Sequence, residues 1–353
     1  MAVETVNRQL KIKKVGKIEV AKMKTEHRLL KWIFMAGAIL VPLFGFGQAR
    51  DVPLLFPLAW GAGQFIFPLD CQLGKTCFVA NYMDDDPAPE RVKDWSCGSI
   101  TYDGHNGTDY AIEGWEAMDQ GVDVLAADAG VVIEAIDGYY DRCRRSCPYE
   151  NSNHVIIRHK NGLRTVYHHM KKGSVLVKRG QEVTKGQKIG EVGSSGDSDA
   201  PHLHFIVTDS EINLINPYAG PCSSNKSESY WENQEPYQGG TFKVVKALLT
   251  DQIPDGSTPK PVSTLHPRDP IVTLWLRVLN VQAGDISEWL WYTPQGELYS
   301  RCKVVHDRPY AYSYWYCYTT LAGYPGATKF GAWTVHYLHN GTIVEKATFD
   351  LEP

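Results

Sequence analysis

Two short stretches of the sequence hold side chains that could do chemistry together. In Ala200-Pro201-His202-Leu203-His204-Phe205, followed by Ile206-Val207, an extended backbone puts His202 and His204 on one face and turns Leu203 and Phe205 toward a core. Alone, such a pair is an ordinary surface feature of a strand. Upstream, Gly104-His105-Asn106-Gly107-Thr108-Asp109-Tyr110 sets an imidazole and a carboxylate four residues apart, with glycines at 104 and 107. Extended positions i and i+4 also share a face, so both pairs can look into one groove. Imidazole nitrogen with carboxylate oxygen suits zinc, and three protein ligands leave a fourth tetrahedral position open for water, as catalytic sites require. The two segments stand 93 residues apart, so only the fold can join them.

A third element lies between them, where Val166-Tyr167-His168-His169 ends an apolar strand in histidine. In this order and approximate spacing, His105 to Asp109, the strand-terminal His169 and His202-x-His204 resemble the motifs of the M23 zinc peptidases, the lysostaphin- and LytM-like family. The resemblance spans roughly residues 95 to 220. It implies Zn2+ held by His105, Asp109 and His204, with His202 beside the reacting water and His169 facing His202 across the site. Two imidazoles can share the proton work because each titrates near neutral pH. His202 is assigned as base and His169 as transition-state stabiliser, roles that could be exchanged.

The implied activity is a zinc-dependent endopeptidase cutting peptide stems or cross-links of bacterial peptidoglycan. The alternative is a non-enzymatic relative that has lost metal ligands and serves as activator or scaffold for other wall hydrolases. The presence of all five residues weighs against it. Alternation on a strand sends His168 and His169 to opposite faces, and because the resemblance selects His169, His168 is expected on the back face. His154, His159, Tyr102 and Tyr110 are expected as packing or surface groups.

The elements that must position these residues read as all-β. Short runs at Val122 to Ala126, Gly130 to Ile136, Asn153 to Arg158, Leu163 to His169, Gln187 to Val192 and His204 to Val207 alternate between Gly-rich turns. The turns around Gly180 and Gly186 are similar to those of the barrel-sandwich fold that the peptidase family shares with lipoyl and biotinyl carriers. Asp84-Asp85-Asp86 reads as a solvated turn. The expected catalytic domain covers residues 50–220, followed by a polar linker at 221–240. Residues 241–353 carry about seven further runs, with Asn340-Gly341 as a hairpin turn, and predict an immunoglobulin-like sandwich whose partner is not readable.

Eight cysteines, an even number with no C-x-x-C, predict disulfides. Short spacing pairs Cys71 with Cys77, Cys143 with Cys147 and Cys302 with Cys317, which leaves Cys97 with Cys222. The loop 137–152, with Arg142, Arg144 and Arg145 around the Cys143 and Cys147 pair, is long enough to wall a groove or simply to be solvated.

At the other end, nine Lys or Arg within the first 31 residues precede the 15-residue uncharged run Trp32 to Phe46. With Gly47-Gln48-Ala49 after it, this reads as an export signal cleaved after Ala49 or as a retained anchor making transient membrane contact, and translation could start at Met23. Cleavage removes nine basic and three acidic groups and takes the formal charge from −4 to −10, which argues against nucleic acid as a partner. The expected location is therefore the periplasm or cell surface.

Overall fold

A computed structural model describes residues 64–142, 151–254 and 256–353. The signal or anchor at 1–49 and the Cys143 to Cys147 pair lie outside the described residues. The first sheet system comprises β1 (Cys77–Asn81), β2 (Thr108–Ile112), the short helix α1 (Trp115–Gln120), β3 (Asp123–Leu125), β4 (Gly130–Ile136), β5 (His154–His159), β6 (Arg164–His168), β7 (Glu182–Val183), β8 (Lys188–Glu191), β9 (His202–Thr208) and β10 (Leu214–Ile215). Hydrogen bonding orders the main sheet β1-β2-β9-β6-β5-β4-β7, with β10 beside β9, while β3 and β8 form a separate pair. All these pairings are antiparallel.

Period-two alternation decides what each face carries. Tyr110, Val155, Tyr167, Leu203 and Phe205 are buried in one hydrophobic core, and the residues between them, including Asp109, His168, His202 and His204, take the opposite face. The core extends beyond the strands. Residues 221–240, polar enough to read as a linker, fold back on it: Trp231 is buried, the Tyr237 hydroxyl donates to Asp94 Oδ2 at 2.6 Å, and the Gln238 amide donates to the Tyr82 hydroxyl at 3.0 Å. The aromatic residues of this stretch outweigh its polar composition. A Cys97–Cys222 disulfide closes the region, and Cys71–Cys77 staples the entry to β1.

The remaining strands are β11 (Lys243–Thr250), β12 (Thr264–Leu265), β13 (Ile271–Val281), β14 (Ile286–Tyr292), β15 (Leu298–Val305), β16 (Tyr310–Thr320), β17 (Gly331–His339) and β18 (Thr342–Leu351). They form a three-stranded sheet β11-β13-β16 and a five-stranded sheet β12-β18-β17-β14-β15. Leu274, Leu276 and Val278 of the smaller sheet share a core with Trp289, Trp291 and Trp333 of the larger. Cys302–Cys317 joins β15 to β16 and so ties the two sheets together. Asn340 and Gly341 both have positive φ, 50° and 80°, as the tight turn between β17 and β18 requires.

Residues 59–353 form one compact unit, and the sandwich is fixed directly to the strand that carries Asp109. Arg277 on β13, 2% exposed, donates from Nη1 to Glu113 Oε1 at 2.6 Å and from Nη2 to the Glu113 carbonyl at 2.8 Å. Glu113 directly follows β2, and the Tyr312 hydroxyl bonds the Ile112 carbonyl at 3.2 Å while its ring stacks on Phe78 at 4.7 Å. Nothing in the pattern of single residues announces this pair. Arg277→Ala is expected to destabilise the protein by about 2 kcal/mol in equilibrium denaturation, because the buried guanidinium's charge-assisted bonds to the half-buried Glu113 carboxylate and to its carbonyl are lost. Arg277→Lys should recover only part of that, lacking the planar fork that spans carboxylate and carbonyl.

Candidate active site

The site is assembled by a cross-strand pair and a turn. Asp109 on β2 stands opposite His204 on β9. His105 comes from the loop before β2, so its approach is set by backbone turns and not by the strand alternation expected from its spacing. Gly104 takes φ +76°, and a Cβ at Gly107 would lie 2.7 Å from the Phe205 carbonyl oxygen and 2.9 Å from His204 Cε1. Only glycine lets the loop come this close to β9.

Three donor atoms converge as a result. His204 Nδ1 lies 2.7 Å from Asp109 Oδ1, His105 Nε2 lies 3.2 Å from Asp109 Oδ2, and the two imidazole nitrogens are 3.3 Å apart. Among the described residues this is the one group of three such side chains that could hold a metal ion. All three residues are buried, at 2%, 6% and 9% exposure for His105, Asp109 and His204. Ligands about 2.0–2.2 Å from a tetrahedral ion stand about 3.3–3.6 Å apart, so the 3.3 Å separation already matches one and the 3.2 Å separation falls just short of it.

The outer hydrogen bonds fix the tautomers. His105 Nδ1 donates to the Tyr82 carbonyl at 2.6 Å, and His204 Nε2 faces Asn106 Oδ1 at 2.9 Å. In the neutral rings these bonds leave a lone pair on each inward nitrogen, the form in which His105 Nε2 and His204 Nδ1 could both ligate a cation; without one, the same nitrogens can donate to Asp109. Burial alone would raise the Asp109 pKa, but the His202, His105 and His204 imidazoles more than reverse this and hold the carboxylate well below its usual range. Asp109 therefore presents as an anion.

His202 and His169 complete the constellation. His202 Nδ1 donates to the Ala200 carbonyl at 2.8 Å, which turns Nε2 toward Asp109 Oδ1 at 3.6 Å. His169 lies just past the end of β6 in the left-handed region, φ +62°, an unfavourable conformation for a residue with a Cβ. Its Nδ1 donates to the Ser195 carbonyl at 2.6 Å, and its ring centroid stands 4.6 Å from that of His202 and 5.8 Å from that of His204.

The same backbone turn overturns the expected exclusion of His168. His168 pairs in register with His204 and so shares its face, with ring centroids 6.1 Å apart. Alternation would have sent His169 to the back, but the left-handed residue ends the strand and swings His169 round to the site as well. Burial, reinforced by His154 and His204, pushes the His168 pKa down to about 3. Of the neighbouring aromatics, Tyr110 is core, bonded to the Tyr218 hydroxyl at 2.7 Å, whereas Tyr102 is 51% exposed with its ring 4.4 Å from that of His105.

Several supports have no signal in the spacing of the ligands. Asn81 Nδ2 donates to Asp109 Oδ2 at 2.9 Å. Asp84, expected in a solvated turn, instead accepts from the Gly104 amide at 3.0 Å, and its own amide donates to the His105 carbonyl at 2.8 Å. Ser195 Oγ anchors the strand end through the Met170 carbonyl at 2.9 Å. Only Asn106 lay inside a quoted motif, and its carboxamide is what holds the His204 tautomer. Asn106→Ala is expected to weaken metal affinity about 10- to 100-fold in competition with a chelating dye, with the folded state retained.

Residues 103–217 match the family model for Peptidase family M23, and this stretch is an M23 peptidase family domain within the longer chain. All five site residues fall inside it. The chain is 40% identical over 113 residues to peptidoglycan DD-endopeptidase ShyA of Vibrio cholerae, covering 31% of this chain and 22% of that one. It is 34% identical over 131 residues to ShyB of the same organism, covering 36% and 26%. The chain thus spans about a quarter of the length of these curated relatives. Among solved structures, a zinc-containing peptidase from Vibrio cholerae is 27% identical over 45% of this chain and 41% of that chain, with a TM-score of 0.29.

Proposed function

We propose that this protein is an exported zinc metalloendopeptidase that hydrolyses peptide bonds in bacterial peptidoglycan. The observation that carries the reading is the buried His105, Asp109 and His204 trio, with both imidazole lone pairs turned inward and two more histidines, His169 and His202, at its margin. The relatives ShyA and ShyB, peptidoglycan DD-endopeptidases, support the same substrate class.

A zinc ion held by these three residues would act as a Lewis acid toward the scissile carbonyl and lower the pKa of a water. The chain's own groups divide the proton work. Burial and then the neighbouring His202 hold the His169 pKa well below 6.5, and with Nδ1–H committed to Ser195 its Nε2 carries a lone pair. His169 therefore takes the proton from the attacking water at Nε2. His202 Nε2, 3.6 Å from Asp109 Oδ1, is placed on the other side of the site to donate to the leaving amine. This exchanges the two roles first expected. The backbone carbonyls of Ser195 and Ala200 hold both rings at fixed angles, so no reorientation is needed during the reaction.

A non-enzymatic scaffold needs neither a tautomer-fixed ligand set nor two further histidines beside it. The 241–353 module, expected as an immunoglobulin-like sandwich, would act as a fixed part of the enzyme. Among the described residues no helix is long and apolar enough to cross a membrane. Purified cross-linked muropeptides should be cleaved by the full chain, lose cleavage under chelation and regain it when Zn2+ is restored, with products read by mass spectrometry. Binding without cleavage in the zinc-loaded protein would leave only the scaffold reading.

A further inference from the structure

The site face continues past the five residues above. Register carries one transverse row across the sheet, from Asp109 on β2 to His204 on β9 and His168 on β6. Val155 pairs with Tyr167 and Ile136 with His154, which extends the row through His154 on β5 to β4. The His154 and His168 rings stand 5.0 Å apart. At the far end His154 Nε2 meets Glu134 Oε1 at 2.6 Å, while His154 Nδ1 lies 2.9 Å from the Ser152 carbonyl. A cavity of about 310 Å³ opens there, lined by Glu134, Ile136, Tyr139, Ser152 and both histidines.

Glu134 reaches this face through a break in the ladder. Val132 pairs with Ile157 and is fully buried, so strict alternation would send Glu134, two residues on, into the same core. The register shifts between the two: Glu134 pairs with Ile156, and its side chain emerges 51% exposed. Such bulges recur beside active sites, where they re-aim a side chain.

Building on the peptidase reading, we propose that Glu134, held by His154, forms a subsite for a primary ammonium group of the peptide substrate. Among the described residues Glu134 is the one carboxylate lining the cavity; His154 engages it through Oε1, which leaves Oε2 to accept from a substrate amine. Tyr139, 38% exposed on the same wall, offers a ring face to a cation. A second metal is not the occupant, because among the described residues only the His105, Asp109 and His204 group converges closely enough. From β9 to β4 is three strand spacings, about 14 Å, which an extended peptide covers in about four residues. The ammonium is therefore a chain terminus about four residues from the cleaved bond, or a side-chain amine nearer to it.

Amine-bearing muropeptides and their N-acetylated counterparts separate the possibilities. The wild-type protein should cleave the free-amine form with about fivefold higher kcat/KM, and Glu134→Gln should bring that ratio to about one. Peptides acetylated only at the terminus or only at the side chain identify which amine is read. An equal rate on both forms in the wild type, or an unchanged ratio in Glu134→Gln, overturns the subsite. Should the wild type cleave neither form, the hydrolase reading fails by itself. Calorimetric binding of the two peptides to the same protein then decides the subsite, with preference for the free amine supporting it and equal affinity ending it.

Discussion

His204→Ala is expected to abolish metal retention and to lower muropeptide cleavage by about 10³-fold or more, with the fold preserved. The magnitude follows from the loss of several kcal/mol of transition-state charge stabilisation, at about 1.4 kcal/mol per factor of ten. His204 is the hinge of the trio, since Nδ1 faces both Asp109 Oδ1 and His105 Nε2. Removing it leaves a buried carboxylate with one imidazole partner and a ring-sized hole between β2 and β6, so a cation would keep two ligands. The check is elemental analysis of the purified variant beside the wild type, together with turnover of one cross-linked substrate. A variant that retained stoichiometric metal at wild-type affinity would show that the ion, if present, sits elsewhere.

His169→Ala should separate binding of metal from catalysis. Its Nε2 is the lone pair offered at the site, and general base catalysis contributes about 10²- to 10⁴-fold, so kcat is expected to fall by that range while metal content stays at the wild-type value. His169→Ala also relieves nothing in the backbone, because φ at +62° remains unfavourable for any residue with a Cβ. The pH dependence follows the direction of its shift. Burial depresses the pKa of His169, so the ring is neutral and competent as a base from well below pH 6.5 upward. Activity in the wild type should therefore persist into mildly acidic buffer where an ordinary histidine base would already be protonated. A His169→Ala protein with unchanged kcat would transfer the base role to His202.

Much of this was legible in the sequence. His105, Asp109, His202 and His204 stood out by type and spacing and His169 through the resemblance to the M23 family, and the five side chains lie close together in the structure. The main strands follow the alternation closely, with β4 at the expected limits. What escaped was whatever depends on a single backbone irregularity. With His169 set in the site by the family's motif, alternation put His168 on the back face; that step assumes that the strand continues, and one left-handed residue at His169 voids it. The break at Val132 and Glu134 is invisible for the same reason, since both sides of a bulge still read as a strand. The supports Asn81, Asp84 and Ser195 escaped because their partners are backbone groups and side chains from other segments. Residues 221–240 were misread on composition, where a few aromatic side chains carried more weight than many polar ones.

The bond between Cys97 and Cys222 spans 125 positions and encloses every histidine and aspartate of the site. Closing a loop of that size narrows the unstructured ensemble by an amount worth about 4–5 kcal/mol, a large share of what a domain of this size has to spare. A chain kept in a thiol-rich compartment forgoes that contribution, so the fold that brings these residues together reaches its full stability only once the bond has formed.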